Sequence, residues 1–189
     1  MEFALAQYRR WAAEYCLTPY STEMTSLPYL TGYPPELLSQ AQQLLEAGEL
    51  KSNLERRYPD RHEVRNNKAL NTYVQEIKAS CMRKAAPLGT VVFDDRLRSV
   101  HQALGLHTTA TRTHGTKTRK RREVRVASVF KETPPEFLRM IVVHELAHMK
   151  HADHDEKFYK LCVYMEPEYH QYELDMRLYL TELEWEPAS

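Results

Sequence analysis

The stretch M-I-V-V-H-E-L-A-H-M-K-H-A-D-H, residues 140–154, decides how this 189-residue chain is read. It contains His144-Glu145-Leu146-Ala147-His148, and a third histidine follows six residues on at His154. Residues four apart share a face of a helix, so His144 and His148 can aim neutral imidazole nitrogens at one metal ion. Glu145 sits one residue round, within reach of a proton on water at that ion. A third protein ligand leaves the fourth tetrahedral position of a zinc ion open, which is the arrangement of a catalytic site rather than a structural one.

Two histidines compete for the third place. On a straight helix His151 shares the face of His144 but lies about 10 Å further along, at about 1.5 Å per residue. Metal–nitrogen bonds of about 2 Å cannot span that gap. The chain is therefore expected to leave the helix after His148 and turn back, which favours His154. His and Asp tolerate a left-handed turn better than most non-glycine residues, and 150–153 reads K-H-A-D. Asp153 with Glu156 reads as a capping box that opens the next helix, with His154 at its start.

Upstream, Thr133-Pro134-Pro135-Glu136 reads as a capping box with proline at the first helical position, and the run 137–143 is strongly apolar. Before it, residues 123–130 (E-V-R-V-A-S-V-F) give the clearest strand signal, with weaker ones at 90–93 and 107–113. Helical periodicity predicts helices over 2–17, 35–47, 50–57 and 66–85. On the last of these, Leu70, Tyr73, Val74, Ile77 and Cys81 form the inward side. Two further helices are predicted at about 155–164 and 167–184, and the proline-rich segment 18–35 reads as an ordered loop.

Composition narrows the class. Lys+Arg and Asp+Glu each total 26, so the net charge of zero does not point to a polyanionic partner. Its distribution is uneven, because residues 112–125 carry Arg112, Lys117, Arg119, Lys120, Arg121, Arg122 and Arg125 against Glu123 alone. The strip reads either as a solvated loop or as a contact for substrate phosphate or DNA, although no aromatic residue interleaves it to stack on bases. Three widely spaced cysteines, Cys16, Cys81 and Cys162, without a C-x-x-C pair, fit reduced thiols and argue against a disulfide framework or thiolate metal site. No signal-peptide core or membrane-length apolar window is present, so no membrane partner is expected and a cytoplasmic location is.

The run V-V-H-E-L-A-H-M-K-H-A-D-H-D-E-K-F-Y, residues 142–159, resembles the H-E-L-x-H-x5-H-x3-F-W/Y signature of YgjP-like metallopeptidases. WLM and SprT-like zinc proteases carry related signatures. The resemblance covers roughly residues 66–164 and implies an α+β fold with a small gluzincin-like core. In that core a few-stranded twisted sheet lies over the H-E-x-x-H helix and offers an edge strand to an extended peptide. It divides the chain into a helical N-terminal extension, 1–60, and a metallopeptidase domain, 61–189. Carried over by position, it implies one zinc ion held by His144, His148 and His154, with Glu145 as general base. Where many YgjP-like proteins have a Trp-Gly-Ser-Cys turn before the edge strand, this chain has His114-Gly115-Thr116-Lys117.

Three functions follow. The favoured one is a zinc metallopeptidase acting on peptide or protein substrates, nucleic-acid-associated proteins among them. The second is a metal-dependent hydrolase of a nucleotide or other phosphorylated small molecule, with the arginine-rich strip clamping phosphate. The third is a non-enzymatic DNA-binding module with a zinc-stabilised core. The motif does not name an oxyanion stabiliser, for which Tyr159, Tyr164, Tyr169, His170 and Arg177 are candidates.

Overall fold

A computed structural model describes residues 27–97 and 123–185. A 3₁₀ turn at Pro28–Leu30 precedes helices α1 (Pro35–Glu46), α2 (Leu50–Arg57) and α3 (Asn67–Cys81). Strands β1 (Val91–Asp94) and β2 (Val124–Ala127) follow, and a second 3₁₀ turn, Ser128–Lys131, leads into α4 (Pro135–Ala147), α5 (Glu156–Met165) and α6 (Tyr169–Glu184). The architecture is mixed and mostly helical, with one parallel two-stranded sheet among the described residues. The chain divides into two compact units, one from Asp60 to Pro167 and the other joining the residues up to Pro59 with those from Glu168 onward.

In the unit from Asp60 to Pro167 the organising element is α4. Phe137, Leu138, Met140, Ile141, Val142, Val143, Leu146 and Ala147 are all buried. A helix apolar on every side has to lie inside, and each fully buried large side chain contributes about 1.5–3 kcal/mol. It packs on β2, α3 and α5. The sheet pairs Val91 with Val124 and Phe93 with Val126, whose side chains are buried. Helix α3 lies along β1, where the Phe93 N–H donates to Asn67 Oδ1 at 2.9 Å. Arg139 ties α4 to the end of α5, donating to the Glu166 carboxylate and, at 3.0 Å, to the Met165 carbonyl.

In the other unit α6 packs against α2 and the Pro28–Leu30 turn. Its anchor is Asp175, which accepts from the Tyr58 hydroxyl at 2.5 Å and from Gln171 at 2.8 Å, with Arg57 at 3.3 Å. Gly48 ends the α1 segment at a φ of 66°, a left-handed value that glycine takes without strain. No helix among the described residues is long and apolar enough to cross a membrane.

Several local expectations need correction. Helix α4 starts with Pro135 at its first position, but no side chain caps it, because Thr133 Oγ1 donates to the Phe130 carbonyl instead. Helix α5 is capped by Asp155, whose Oδ1 accepts from the Phe158 N–H at 2.8 Å, so the Asp153 capping box does not form. No non-glycine residue among those described has a positive φ, so the turn after α4 is made without a left-handed residue. Helix α3 stops at Cys81, four residues before the expected 85, and Tyr73 and Cys81 are only half-buried on its inward side. The strand expected over 123–130 is Val124–Ala127, its remainder winding into the 3₁₀ turn. The helix expected at 2–17 and the strand at 107–113 lie outside the described residues.

Two measurements check these packing assignments. His62 Nε2 donates to the Phe130 carbonyl at 2.9 Å, while its Nδ1 accepts from the Val64 N–H at 3.1 Å, a bond that needs the neutral ring. Burial holds its pKa below the ordinary 6.5. The stability it contributes is therefore present above pH 6.5 and lost as pH falls through the lower folded value. Urea titrations should show His62→Gln losing that part of the acid-side slope, whereas identical slopes would contradict the assignment. Tyr58→Phe should lower stability by about 1.5–3 kcal/mol, the worth of a hydrogen bond to a charged partner. A loss below about 0.5 kcal/mol would show that Asp175 is held by its other partners alone.

Candidate metal centre

His144 stands on the last turn of α4, His148 caps that helix and His154 lies just before Asp155, the cap of α5. After Ala147 the backbone tightens: Met149 N–H bonds to the Leu146 carbonyl, and the Lys150 and His151 N–H groups both bond to the Ala147 carbonyl. The chain thus turns back within a few residues, as the spacing of the histidines requires. It brings the three Nε2 atoms together, at 3.1 Å between His148 and each of the other two and 3.2 Å between His154 and His144.

The protonation of one ring follows from its partner. His148 Nδ1 lies 2.9 Å from the His151 carbonyl, which can only accept, so Nδ1 carries the proton and Nε2 presents a lone pair. His151 thereby serves through its backbone and orients His148. Three imidazole nitrogens crowded into one small triangle could together hold a cation. Nitrogens bonded at about 2.0–2.1 Å to one tetrahedral ion stand about 3.3 Å apart, close to the spacing here. Among the described residues, His144, His148 and His154 are the group of side chains that could hold a metal ion.

Glu145 is half-buried, and burial pushes its carboxyl from the ordinary 4.5 up to about 8. A cation beside it would favour the ionised form and draw that value down. Beneath the imidazoles lies Phe158, fully buried, with its ring centroid 5.0 Å from that of His144, 4.5 Å from His148 and 4.7 Å from His154. The half-buried Tyr159 has its ring 6.2 Å from that of His154.

Tyr164 is 68 % exposed, and Tyr169, His170 and Arg177 belong to the other compact unit. There Arg177 donates to the Tyr29 carbonyl and to Glu173. Arg119, Lys120, Arg121 and Arg122 lie outside the described residues. Arg125, at the end of the basic strip, is engaged by Asp94 at 2.8 Å and Glu123 at 2.7 Å, so its charge is already balanced by two carboxylates. Sequence reasoning missed the backbone role of His151, which no side-chain pattern encodes. Phe158 entered the sequence reading only as the aromatic position of the family signature, with no contact to the histidines assigned to it.

A relative from Escherichia coli (strain K12), described as UTP pyrophosphatase, is 48% identical over 160 residues, covering 85% of this chain and 96% of the relative. No solved structure matches the chain. The family model described as "YgjP-like, metallopeptidase domain" matches residues 7–179, reaching well beyond the signature on both sides. A match of that extent, with a relative so similar along nearly its whole length, means that the chain belongs to the YgjP-like family.

Proposed function

We propose that this chain is a metal-dependent hydrolase of a pyrimidine nucleoside triphosphate, cleaving UTP between its α- and β-phosphates to release pyrophosphate. The observation that carries the proposal is the convergence of three imidazole Nε2 atoms beside a carboxylate, in a chain 48% identical to a protein described as UTP pyrophosphatase. His144, His148 and His154 hold one divalent ion, with the His151 carbonyl keeping His148 in the tautomer that offers Nε2. Zinc is the proposed occupant, since three neutral imidazoles, joined by no carboxylate in the group among the described residues, suit it far better than magnesium. When bound, such an ion supplies Lewis acidity toward a phosphoryl oxygen and makes nearby water more acidic. Glu145 accepts the proton lost by the attacking water, and the buried Phe158 ring backs the imidazoles.

A second reading is a zinc metallopeptidase with a gluzincin-like core, favoured by the family model's description as a metallopeptidase domain. An ion held there would polarise a peptide carbonyl as well as a phosphoryl group, with Glu145 taking the proton of water in either case, so the substrate must discriminate.

Metal content tests the ligand set. His154→Ala should abolish stoichiometric zinc in the purified protein, while His151→Ala, which keeps the backbone carbonyl, should retain it. The reverse result would exchange the third ligand. Activity tests the reaction. Zinc-loaded protein should release pyrophosphate from UTP and leave casein intact, and Glu145→Gln should retain zinc while losing about 10²–10⁴ in rate. Casein cleavage without UTP turnover would replace this reading with the peptidase, and undiminished UTP turnover in Glu145→Gln would remove the assigned base.

A further inference from the structure

We propose that Phe158 is a positioning residue of the metal centre, setting how tightly the three histidines hold an ion by fixing their rings before the ion arrives. The inference rests on the metal-binding reading above and concerns a side chain that cannot itself be a ligand. One phenyl ring touches all three imidazoles, with centroid separations of 4.5–5.0 Å and interplanar angles of 75° to His144, 37° to His148 and 86° to His154. Steep and tilted contacts at this distance are favourable for aromatic pairs, and here each ring is met at a different angle. Rotating any one imidazole away from the common point would open a gap against the phenyl ring.

The ring is itself anchored. Phe158 is wholly buried, and its N–H donates to Asp155 Oδ1 at 2.8 Å. The cap of α5 thus fixes both His154, one residue before Asp155, and Phe158, three residues after it. The ligand from the turn and the surface beneath it are therefore set by the same hydrogen bond. Rotamer freedom that metal binding would otherwise remove is already lost on folding, and water is kept from the rear of the imidazoles. Outer residues that orient metal ligands commonly change affinity by about 10–100-fold when altered.

Competition between the protein and a chromophoric chelator for Zn²⁺ reads the effect directly, without catalysis. Phe158→Leu keeps the site apolar but removes the flat surface, and it should raise the Kd for Zn²⁺ about 10-fold or more. Phe130→Leu, a change at an equally buried phenylalanine on the 3₁₀ turn after β2, should lower the Tm of the metal-free protein by a comparable few degrees and leave the Kd within about twofold. Should Phe158→Leu fail to fold, Phe158→Met, whose flexible side chain adapts to irregular gaps, carries the same comparison. A wild-type Kd in the folded Phe158 variant, or equal weakening by Phe130→Leu, would overturn the positioning role. Failure of the wild-type protein to take up Zn²⁺ at all would instead overturn the metal-binding reading on which it stands.

Discussion

Three imidazole nitrogens held within 3.2 Å of one another are the constraint around which the Asp60–Pro167 unit is built. Lone pairs so close repel unless protons or a cation lie between them, and His148 is kept from placing its proton there by the His151 carbonyl. Burial of His144 adds to the cost, because a desolvated polar ring needs a partner. Such an arrangement persists only where the surrounding structure over-determines it. The apolar faces of α4 fix the first two histidines, a tight turn reverses the chain, and the Asp155 cap fixes the third.

That centre defines a class of reaction more sharply than a substrate. An ion on three imidazoles with an adjacent carboxylate can activate water against any polarised carbonyl or phosphoryl group. Selection must come from groups that bind the rest of the substrate, and these are not part of the histidine motif. Arg125 illustrates the difficulty, because an arginine that suits phosphate by composition is here engaged by Asp94 and Glu123 at the ends of the paired strands. Charge counted along a sequence overstates what is free to meet an anion once the chain has folded.

The donor set was legible in the sequence because its spacing is a geometric statement. Four residues give one helix face, and the distance along a straight helix excludes His151 while leaving His154 able to fold back. Helices with strong periodicity were legible for a similar reason, and α2 has the bounds that its pattern and the following Tyr58-Pro59 predict. The caps were less so. Asp153 and Asp155 are both competent by residue type, and it is Asp155 that accepts from the Phe158 N–H. The backbone carbonyl of His151 and the contact of one phenyl ring with three imidazoles depend on how the turn closes, which side-chain identity alone does not encode.

X-ray absorption at the zinc edge of the stoichiometrically loaded protein tests the central claim most directly, because it reads the atoms around the ion without reference to any substrate. Convergence of His144, His148 and His154 predicts three imidazole nitrogens at about 2.0–2.1 Å and one further light-atom ligand. A shell containing sulfur, or one with fewer than three imidazoles, would contradict it.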